Sequence, residues 1–300
     1  MKSFKEYLID QELVEEKLIT FGGKAYPKFG NVTILVGGSG SGKGFIIENL
    51  LGMEGKTLDV DAIKKLAMKS TKLAQRIKEE TGHDIKNFDL KNPDNVSKIH
   101  VLLSDVYGIT KASEKNFFAS VLTANSDRKP NIIFDTTLKD IGKLKTLSDS
   151  IKDLGYDLKN VHLVWVMNKF DVAVQQNAKR DRVVPQEIMI ATHEGAALTM
   201  KKIVSMGSEI KKYLDGDIYI AFNQKGDDST YVVNQEPQKG TVLKSKEKSK
   251  GAYIKKVNYI QLKKKGKAPE NERALTNELL KKIQSYIPKT DTWDFYPEDK

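Results

Sequence analysis

Glycines, serines and one lysine lie together in the stretch VGGSGSGKGF at residues 36–45. Up to Lys43 the spacing matches the phosphate-binding pattern GxxxxGK[ST], in which the lysine reaches the terminal phosphates of a nucleotide. Successive backbone N–H groups of such a loop surround anionic oxygens. The residues predicted to bind the nucleotide are Gly37, Gly38, Ser39, Gly40, Ser41, Gly42, Lys43, Gly44 and Phe45.

The residue after the lysine departs from this pattern. Gly44 stands where a serine or threonine usually coordinates magnesium, so phosphates, waters and carboxylates alone would hold the ion. Asp135 ends the predicted strand NIIFD, a place where a carboxylate can hold metal-bound water opposite the loop. We therefore predict Asp135 as the metal-associated residue; a solvent-facing aspartate at a strand end is the alternative.

Two more aspartates, Asp59 and Asp61, follow the predicted strand KTLDV. A carboxylate near the γ-phosphate can accept the proton of a hydroxyl group during phosphoryl transfer. An aspartate in this place can also cap the following helix, and both interpretations stay open.

A basic stretch, NAKRDRVVP, ends a predicted helix and contains Arg180 and Arg182. Arginines on such a segment can close over ATP and stabilise the charge on the transferring phosphoryl group. Basic residues near a helix C-terminus are also favoured by the helix dipole alone.

The elements that must position these residues alternate between strands and helices. Short apolar runs predict strands at residues 31–36, 56–60, 131–135, 160–167 and 218–222. Helical stretches of ten or more residues separate most of them, and one such stretch covers residues 61–80. This alternation predicts an α/β fold with a parallel sheet and helices on both faces, in which ligands bind beyond the carboxyl ends of the strands.

Residues 31–203 resemble the zeta-toxin and polynucleotide-kinase group of P-loop kinases. The resemblance is carried by LDVDAIKK, by IIFDTTLKDIGKLKTLSDSIKDLGYDL and by NAKRDRVVPQEIM. It implies a P-loop NTPase three-layer fold, ATP as the phosphoryl donor, Mg²⁺ as the cofactor and a hydroxyl acceptor.

The resemblance also implies roles for individual residues. Asp61 corresponds to the general base, and Lys64 takes the place where polynucleotide kinases have a substrate-binding arginine. DTTLK is similar to the DTNL of polynucleotide kinases and the EGTLR of zeta toxins, and KRDRVVP is similar to the arginine lid. With Lys43 of the loop, the predicted catalytic residues are Lys43, Asp61, Asp135, Arg180 and Arg182. With Asp59 of the strand end, the predicted substrate-binding residues are Asp59, Lys64, Thr137 and Lys139.

Most of the formal net charge of +10 lies in one C-terminal segment, where residues 236–268 contain eleven lysines and two glutamates. With Tyr253 and Tyr259 interleaved, the lysines from Lys239 to Lys267 would suit a nucleic-acid partner. A solvated lysine-rich tail explains the same composition. We predict three parts: an N-terminal helical segment (1–30), a P-loop kinase domain (31–225) and a basic lysine-rich α+β extension (226–300).

The sequence leads to a main hypothesis and two alternatives. We expect an ATP-dependent kinase that phosphorylates a hydroxyl group of a nucleic acid or of a nucleotide-sugar-type acceptor. The first alternative is a non-catalytic nucleotide-binding or virion-associated protein with a vestigial loop, because Gly44 is unusual and MKSFKEYL resembles proteins of T4-like phages. The second is a GTPase, because NKFD (residues 168–171) matches NKxD, although DTTL lacks the glycine of a DxxG switch.

Location follows from what composition excludes. Cysteine is absent, which excludes disulfides and thiolate metal sites, and no apolar run approaches the roughly 20 residues that span a bilayer. We expect a cytoplasmic protein without a membrane partner, located in the bacterial host cell if a phage encodes it.

Overall fold

Six strands form a sheet in the computed structural model, which describes residues 28–49, 51, 53–223, 257–269 and 283–288. The strands are β1 (Val32–Val36), β2 (Lys56–Asp59), β3 (Ile132–Thr136), β4 (Val161–Met167), β5 (Ile218–Asn223) and β6 (Val257–Lys263). Their order is β2-β3-β1-β4-β5-β6, with the first five parallel and β6 antiparallel to β5. The predicted α/β fold with a parallel sheet is confirmed.

Helices follow most of the parallel strands, as the sequence pattern predicts. Within the described ranges they are α1 (Lys43–Asn49), α2 (Val60–Lys69), α3 (Thr71–Thr81), α4 (Pro93–His100), α5 (Ile109–Leu122), α6 (Ile141–Asp153), α7 (Phe170–Ala178) and α8 (Gln186–Ser205). A π-helical turn, Val101–Val106, follows α4 directly.

The two faces of β1 bury different sets of side chains, which makes the fold three-layered. Ile34 belongs to the larger apolar cluster, which also contains Leu144 of α6 and Met200 of α8. Leu35 points to the opposite face and packs in the cluster of Ile46 from α1. Alternate side chains of a strand point to opposite faces, so a strand apolar at every position must be covered on both.

The helical stretch predicted at residues 61–80 is interrupted at Ser70. Ser70 has extended backbone angles (φ −70°, ψ 114°), ends α2 and begins α3. Its hydroxyl oxygen accepts a hydrogen bond from the Leu73 amide at 3.4 Å. A serine that competes for backbone N–H groups favours such a cap over the interior of a helix.

The strand β6 joins part of the predicted C-terminal extension to the sheet of the core. Lys263 at its end is buried, and its Nζ donates to Asp215 Oδ1 at 3.2 Å and to the Gly216 carbonyl at 2.8 Å. Asp217 nearby accepts from the Lys265 amide at 2.9 Å. Lys263 is therefore a structural residue and is not available to a nucleic-acid backbone.

We expect Lys263→Met to lower the free energy of unfolding by about 3 kcal/mol, because Asp215 would stay buried without its cation. Urea denaturation of wild type and variant measures the difference. Lys264→Met is the matched control, since Lys264 is exposed and its change should stay within roughly 0.5 kcal/mol. Equal stability of the Lys263 variant and wild type would contradict the structural role.

Several predictions fall outside the described residues. They concern the N-terminal helical segment up to residue 27 and most of the segment 226–300. The domain boundary near residue 225 stays a prediction. Across the described ranges, no helix is both long enough and apolar enough to cross a bilayer.

Candidate active site

A cavity of about 860 Å³ lies where the carboxyl ends of β1, β2 and β3 meet. Gly37 and Gly38, at the start of the loop, do not line the cavity themselves. The predicted site residues that line the cavity are Ser39, Gly40, Ser41, Gly42, Lys43, Gly44, Phe45, Asp59, Asp61, Lys64, Asp135, Thr137, Lys139, Arg180 and Arg182. The topology thus brings together segments that are far apart in the chain.

The loop between β1 and α1 depends on its glycines. Gly40 (φ +79°) and Gly42 (φ +90°) adopt left-handed backbone conformations that favour glycine. A Cβ on Gly42 would stand 1.9 Å from Nδ2 of Asn223, which donates to the Ser41 carbonyl at 3.0 Å. Gly44 is different, since a Cβ there would meet nothing within 4 Å. A hydroxyl residue at position 44 is therefore sterically allowed.

Lys43 connects the loop to the end of β3. Its Nζ donates to the Gly37 carbonyl at 2.8 Å and lies 3.6 Å from Asp135 Oδ1. Burial raises the pKa of Asp135, Lys43 opposes the rise, and the charges of Asp59 and Asp61 add to it. Asp59 is close because it lies opposite Asp135 in the register of β2 and β3. A cation near Asp135 would therefore stabilise its charged form.

Asp61 lies in the first turn of α2 and forms an ion pair with the arginine segment. Asp59 caps the helix, with Oδ1 accepting from the Asp61 amide at 2.8 Å. Nη1 of Arg182 lies 2.6 Å from Asp61 Oδ1. Burial would raise the pKa of Asp61, but Arg182, Lys64 and Arg180 outweigh it and hold the pKa below its usual range. Asp61 is thus a carboxylate at neutral pH.

His100, which was not predicted as a site residue, contacts Lys64. Nζ of Lys64 lies 2.6 Å from Nδ1 of His100, the last residue of α4. Burial lowers the pKa of His100, and the Lys64 charge lowers it further. Burial also lowers the pKa of Lys64, against the effect of Asp61. The lysine therefore donates to a neutral imidazole at the cavity wall.

The turn after β3 has strained backbone at Leu138. Its φ is +44°, the one positive value for a residue other than glycine among the described residues, and its side chain is fully buried. The Leu138 amide donates to Thr136 Oγ1 at 3.2 Å. Gly195 of α8 allows the close approach, since a Cβ there would lie 2.5 Å from Lys139 Cβ. This turn places Thr137 and Lys139 in the cavity wall, and strain of this kind is concentrated at functional sites.

Two asparagines of the cavity wall were not predicted. Asn168 was noted only as the first residue of NKFD, but it is buried at the cavity, directly before Lys169, the N-cap of α7. Asn223 ends β5, so the strand-end rule that selects Asp135 applies to it as well. Thr192, also in the wall, gives no local signal because it lies inside α8, far along the chain from the loop.

Positive charge dominates the cavity wall. Three carboxylates, Asp59, Asp61 and Asp135, also line it. The basic side chains are Lys43, Lys64, Lys139, Lys143, Arg180 and Arg182. In the part of the chain that the structure describes, no three His, Asp or Glu side chains gather as a metal cage. The arrangement suits polyanionic ligands held beside a carboxylate that can accept a proton.

Comparison with known sequences gives one family match. The zeta toxin family model matches residues 71–231, more than half of the chain. The matched region contains Asp135 and both arginines of the segment, whereas the loop and Asp61 precede it. No curated protein matches the chain.

Solved structures that are similar to this chain share little sequence identity with it, as three of them show. A structure of the PezAT chromosomal toxin-antitoxin system of Streptococcus pneumoniae has 14% identity and a TM-score of 0.41, covering 75% of this chain and 83% of that one. The structure of AvrRxo1-ORF1:-ORF2 with ATP has 13% identity and a TM-score of 0.39, and the match covers 95% of this chain and 79% of that one. TT1252 from Thermus thermophilus has 15% identity and a TM-score of 0.32, and the match covers 58% of this chain and 84% of that one. At such low TM-scores these structures say nothing about the activity of this chain.

Proposed function

The chain belongs to the zeta toxin family, and from that premise we propose that it is a P-loop kinase that transfers the γ-phosphoryl group of ATP to a hydroxyl group of its acceptor. One observation carries the proposal. Lys43 of the loop, Asp61, Asp135 and the two arginines Arg180 and Arg182 line a single cavity although they come from four separate segments.

The proposed reaction gives each residue a task. Lys43 and the loop amides bind the phosphates of ATP. Asp61 accepts the proton of the acceptor hydroxyl. At the same time the hydroxyl oxygen bonds to the γ-phosphorus, and the bond between the γ-phosphorus and the β–γ bridging oxygen breaks. Arg180 and Arg182 stabilise the negative charge on the transferring group. The products are ADP and a phosphorylated acceptor, and the proton stays on Asp61 until water removes it.

Asp61 must exchange its partner before it can act. In the structure Arg182 contacts its Oδ1 at 2.6 Å, which stabilises the carboxylate but weakens it as a base. The phosphates of ATP would compete for the same guanidinium group. We propose that nucleotide binding draws Arg182 toward the phosphates and leaves Asp61 to the acceptor.

Magnesium fits one carboxylate of the site. Asp135 is largely buried, its pKa is raised by burial, and Lys43 lies 3.6 Å away, so an additional cation would stabilise its charge. Bound with the nucleotide, the ion would neutralise charge on the β- and γ-phosphates. Gly44 supplies no ligand. The phosphates of ATP, Asp135 and waters would thus hold the ion, with Thr137 also in the cavity wall.

We expect Gly44→Ser to strengthen the magnesium-dependent part of ATP binding severalfold. The side chain has room, and its hydroxyl would stand where the common motif supplies a metal ligand. Calorimetry with and without Mg²⁺ measures the change, and Gly44→Ala separates the hydroxyl from the effect of replacing glycine in a helix. A serine variant that binds ATP no better than the alanine variant would refute the expectation.

Basic side chains in the cavity wall bear on the identity of the acceptor. Lys64 and Lys139 line the same cavity as Asp61, and these two ammonium groups suit an acceptor that itself carries phosphate, as a nucleic acid or a nucleotide sugar does. The basic C-terminal segment motivates the nucleic-acid choice. Because Lys263 is buried in β6, binding should be tested with the exposed Lys264 and Lys267 changed together to glutamine. Loss of salt-sensitive oligonucleotide binding in this variant would support a nucleic-acid acceptor.

ATP binding is the direct test of the proposal. Calorimetry with ATP and with GTP, each with and without Mg²⁺, should show that wild type prefers ATP and binds it more tightly with Mg²⁺. Preference for GTP would favour the GTPase that NKFD motivates. Binding without any phosphoryl transfer would favour a non-catalytic protein, for which the location in a virion or in the cytoplasm stays a prediction.

A further inference from the structure

A buried histidine supports the phosphate-binding loop from outside the cavity. His193 lies in α8 and is 6% exposed. Its Nε2 lies 2.8 Å from the Ser39 carbonyl, so Nε2 must carry the proton and donate it, because a carbonyl only accepts. Burial, with a smaller effect of the Lys43 charge, lowers the pKa of His193 to about 4. The imidazole is therefore neutral at physiological pH and keeps this single donor.

The neighbouring residue of α8 holds the other side of Ser39. The Ser39 amide donates to Thr192 Oγ1 at 3.1 Å, and the Thr192 hydroxyl donates to the Met189 carbonyl at 2.9 Å. The backbone of Ser39 is thus bonded at both its N–H and its carbonyl group. This arrangement fixes the orientation of the chain directly before Gly40, where the loop enters its left-handed conformation.

The imidazole ring itself has little freedom to move. Gly38 packs against it so closely that a Cβ at that position would lie 2.1 Å from His193 Cδ2. The ring of Phe170 packs edge-on to the other side, with ring centroids 5.4 Å apart. Gly38 therefore has a steric reason to be glycine that is independent of any nucleotide.

We propose that His193, together with Thr192, is a positioning residue for the nucleotide-binding loop, holding Ser39 so that the loop is open to phosphates before a nucleotide binds. The role rests on the proposed function, since it matters only if the loop binds ATP. It also links two parts of the site, because α8 begins directly after the segment of Arg180 and Arg182. A loop held in advance loses less conformational freedom on binding.

Two measurements on one set of variants test this role. Amide hydrogen exchange of residues 37–44 in the nucleotide-free protein reports how firmly the loop is held, and calorimetry gives the Kd for ATP. We expect His193→Ala to accelerate the exchange and to raise the Kd about tenfold or more. His193→Gln should restore most of both, because the glutamine amide can place a nitrogen near the position of Nε2. Thr192→Val, which keeps the shape of the side chain, should give a smaller change in the same direction.

His162→Gln is the matched control. His162 is also buried, but it is the second residue of β4, at the opposite end of the sheet from the loop. Its change should lower stability and leave both the exchange and the Kd as in wild type. Equal effects of the His162 and His193 variants, or a folded His193→Ala with wild-type exchange and Kd, would overturn the proposal. Faster exchange in His193→Ala in a protein that binds no ATP would instead uphold the positioning of the loop and remove the proposed kinase function.

Discussion

Asp61→Asn should lower kcat by at least about a hundredfold, the usual contribution of a general base, while the Kd of ATP stays close to that of wild type. The amide has nearly the same shape but cannot accept the acceptor proton. Arg182 would lose its ion-pair partner and would become free for the phosphates, so ATP binding should not weaken. Transfer of labelled γ-phosphate to a 5′-hydroxyl oligonucleotide or to a nucleotide sugar measures turnover.

The control for this variant lies in the arginine segment. Asp181 is exposed and is not part of the cavity wall, so Asp181→Asn should leave both kcat and Kd unchanged. If Asp61→Asn retained wild-type turnover, another group would have to serve as the base. Asp59 would then be the next residue to test, although one of its oxygens already caps α2.

Lys43→Ala should reduce both ATP binding and turnover, with turnover falling about a hundredfold or more, as expected when a positioned charge on the transferring group is removed. The effect has two physical sources. The phosphates lose their ammonium partner, and Asp135 loses the charge that opposes its raised pKa, so that its carboxyl group is more readily neutral. Calorimetry and the same transfer assay measure the two losses.

Lys65→Ala controls for the loss of one positive charge, because Lys65 is exposed on α2 and does not line the cavity. A Lys43 variant that binds ATP as wild type does would show that this loop does not hold the nucleotide. The vestigial-loop alternative would then be the better account of the chain.

The residues that the sequence could predict are those governed by local rules. Asp135 was predicted because it ends the apolar run NIIFD, and in β3 it is the last residue but one, at the edge where parallel strands bring their carboxyl ends together. Lys43 was predicted because the phosphate-binding pattern is contiguous in sequence. Arg182 belonged to a basic segment recognised by resemblance, but its contact with Asp61 depends on how the segment folds back over the sheet.

The residues that escaped prediction act across long separations in the chain. His193 and Thr192 lie inside a helix whose spacing says only that one face is buried, and their partner Ser39 is more than 150 positions away. His100 was not predicted either, because nothing near it in sequence indicates a contact with Lys64. Such pairs are set by the packing of α4 and α8 on the sheet, which residue patterns alone do not specify.

The antiparallel strand β6 has a consequence for any shortened form of the protein. A chain that stops at the predicted boundary near residue 225 would keep β5 and lose its outer neighbour. The N–H and carbonyl groups on the edge of β5 that faces β6 would then be unpaired. The strand, IYIAFN, has side chains that are all buried in the full chain. Exposed edges of this kind pair with other molecules. We therefore expect the shortened protein to aggregate during expression, whereas a form that retains residues 257–263 keeps this edge protected.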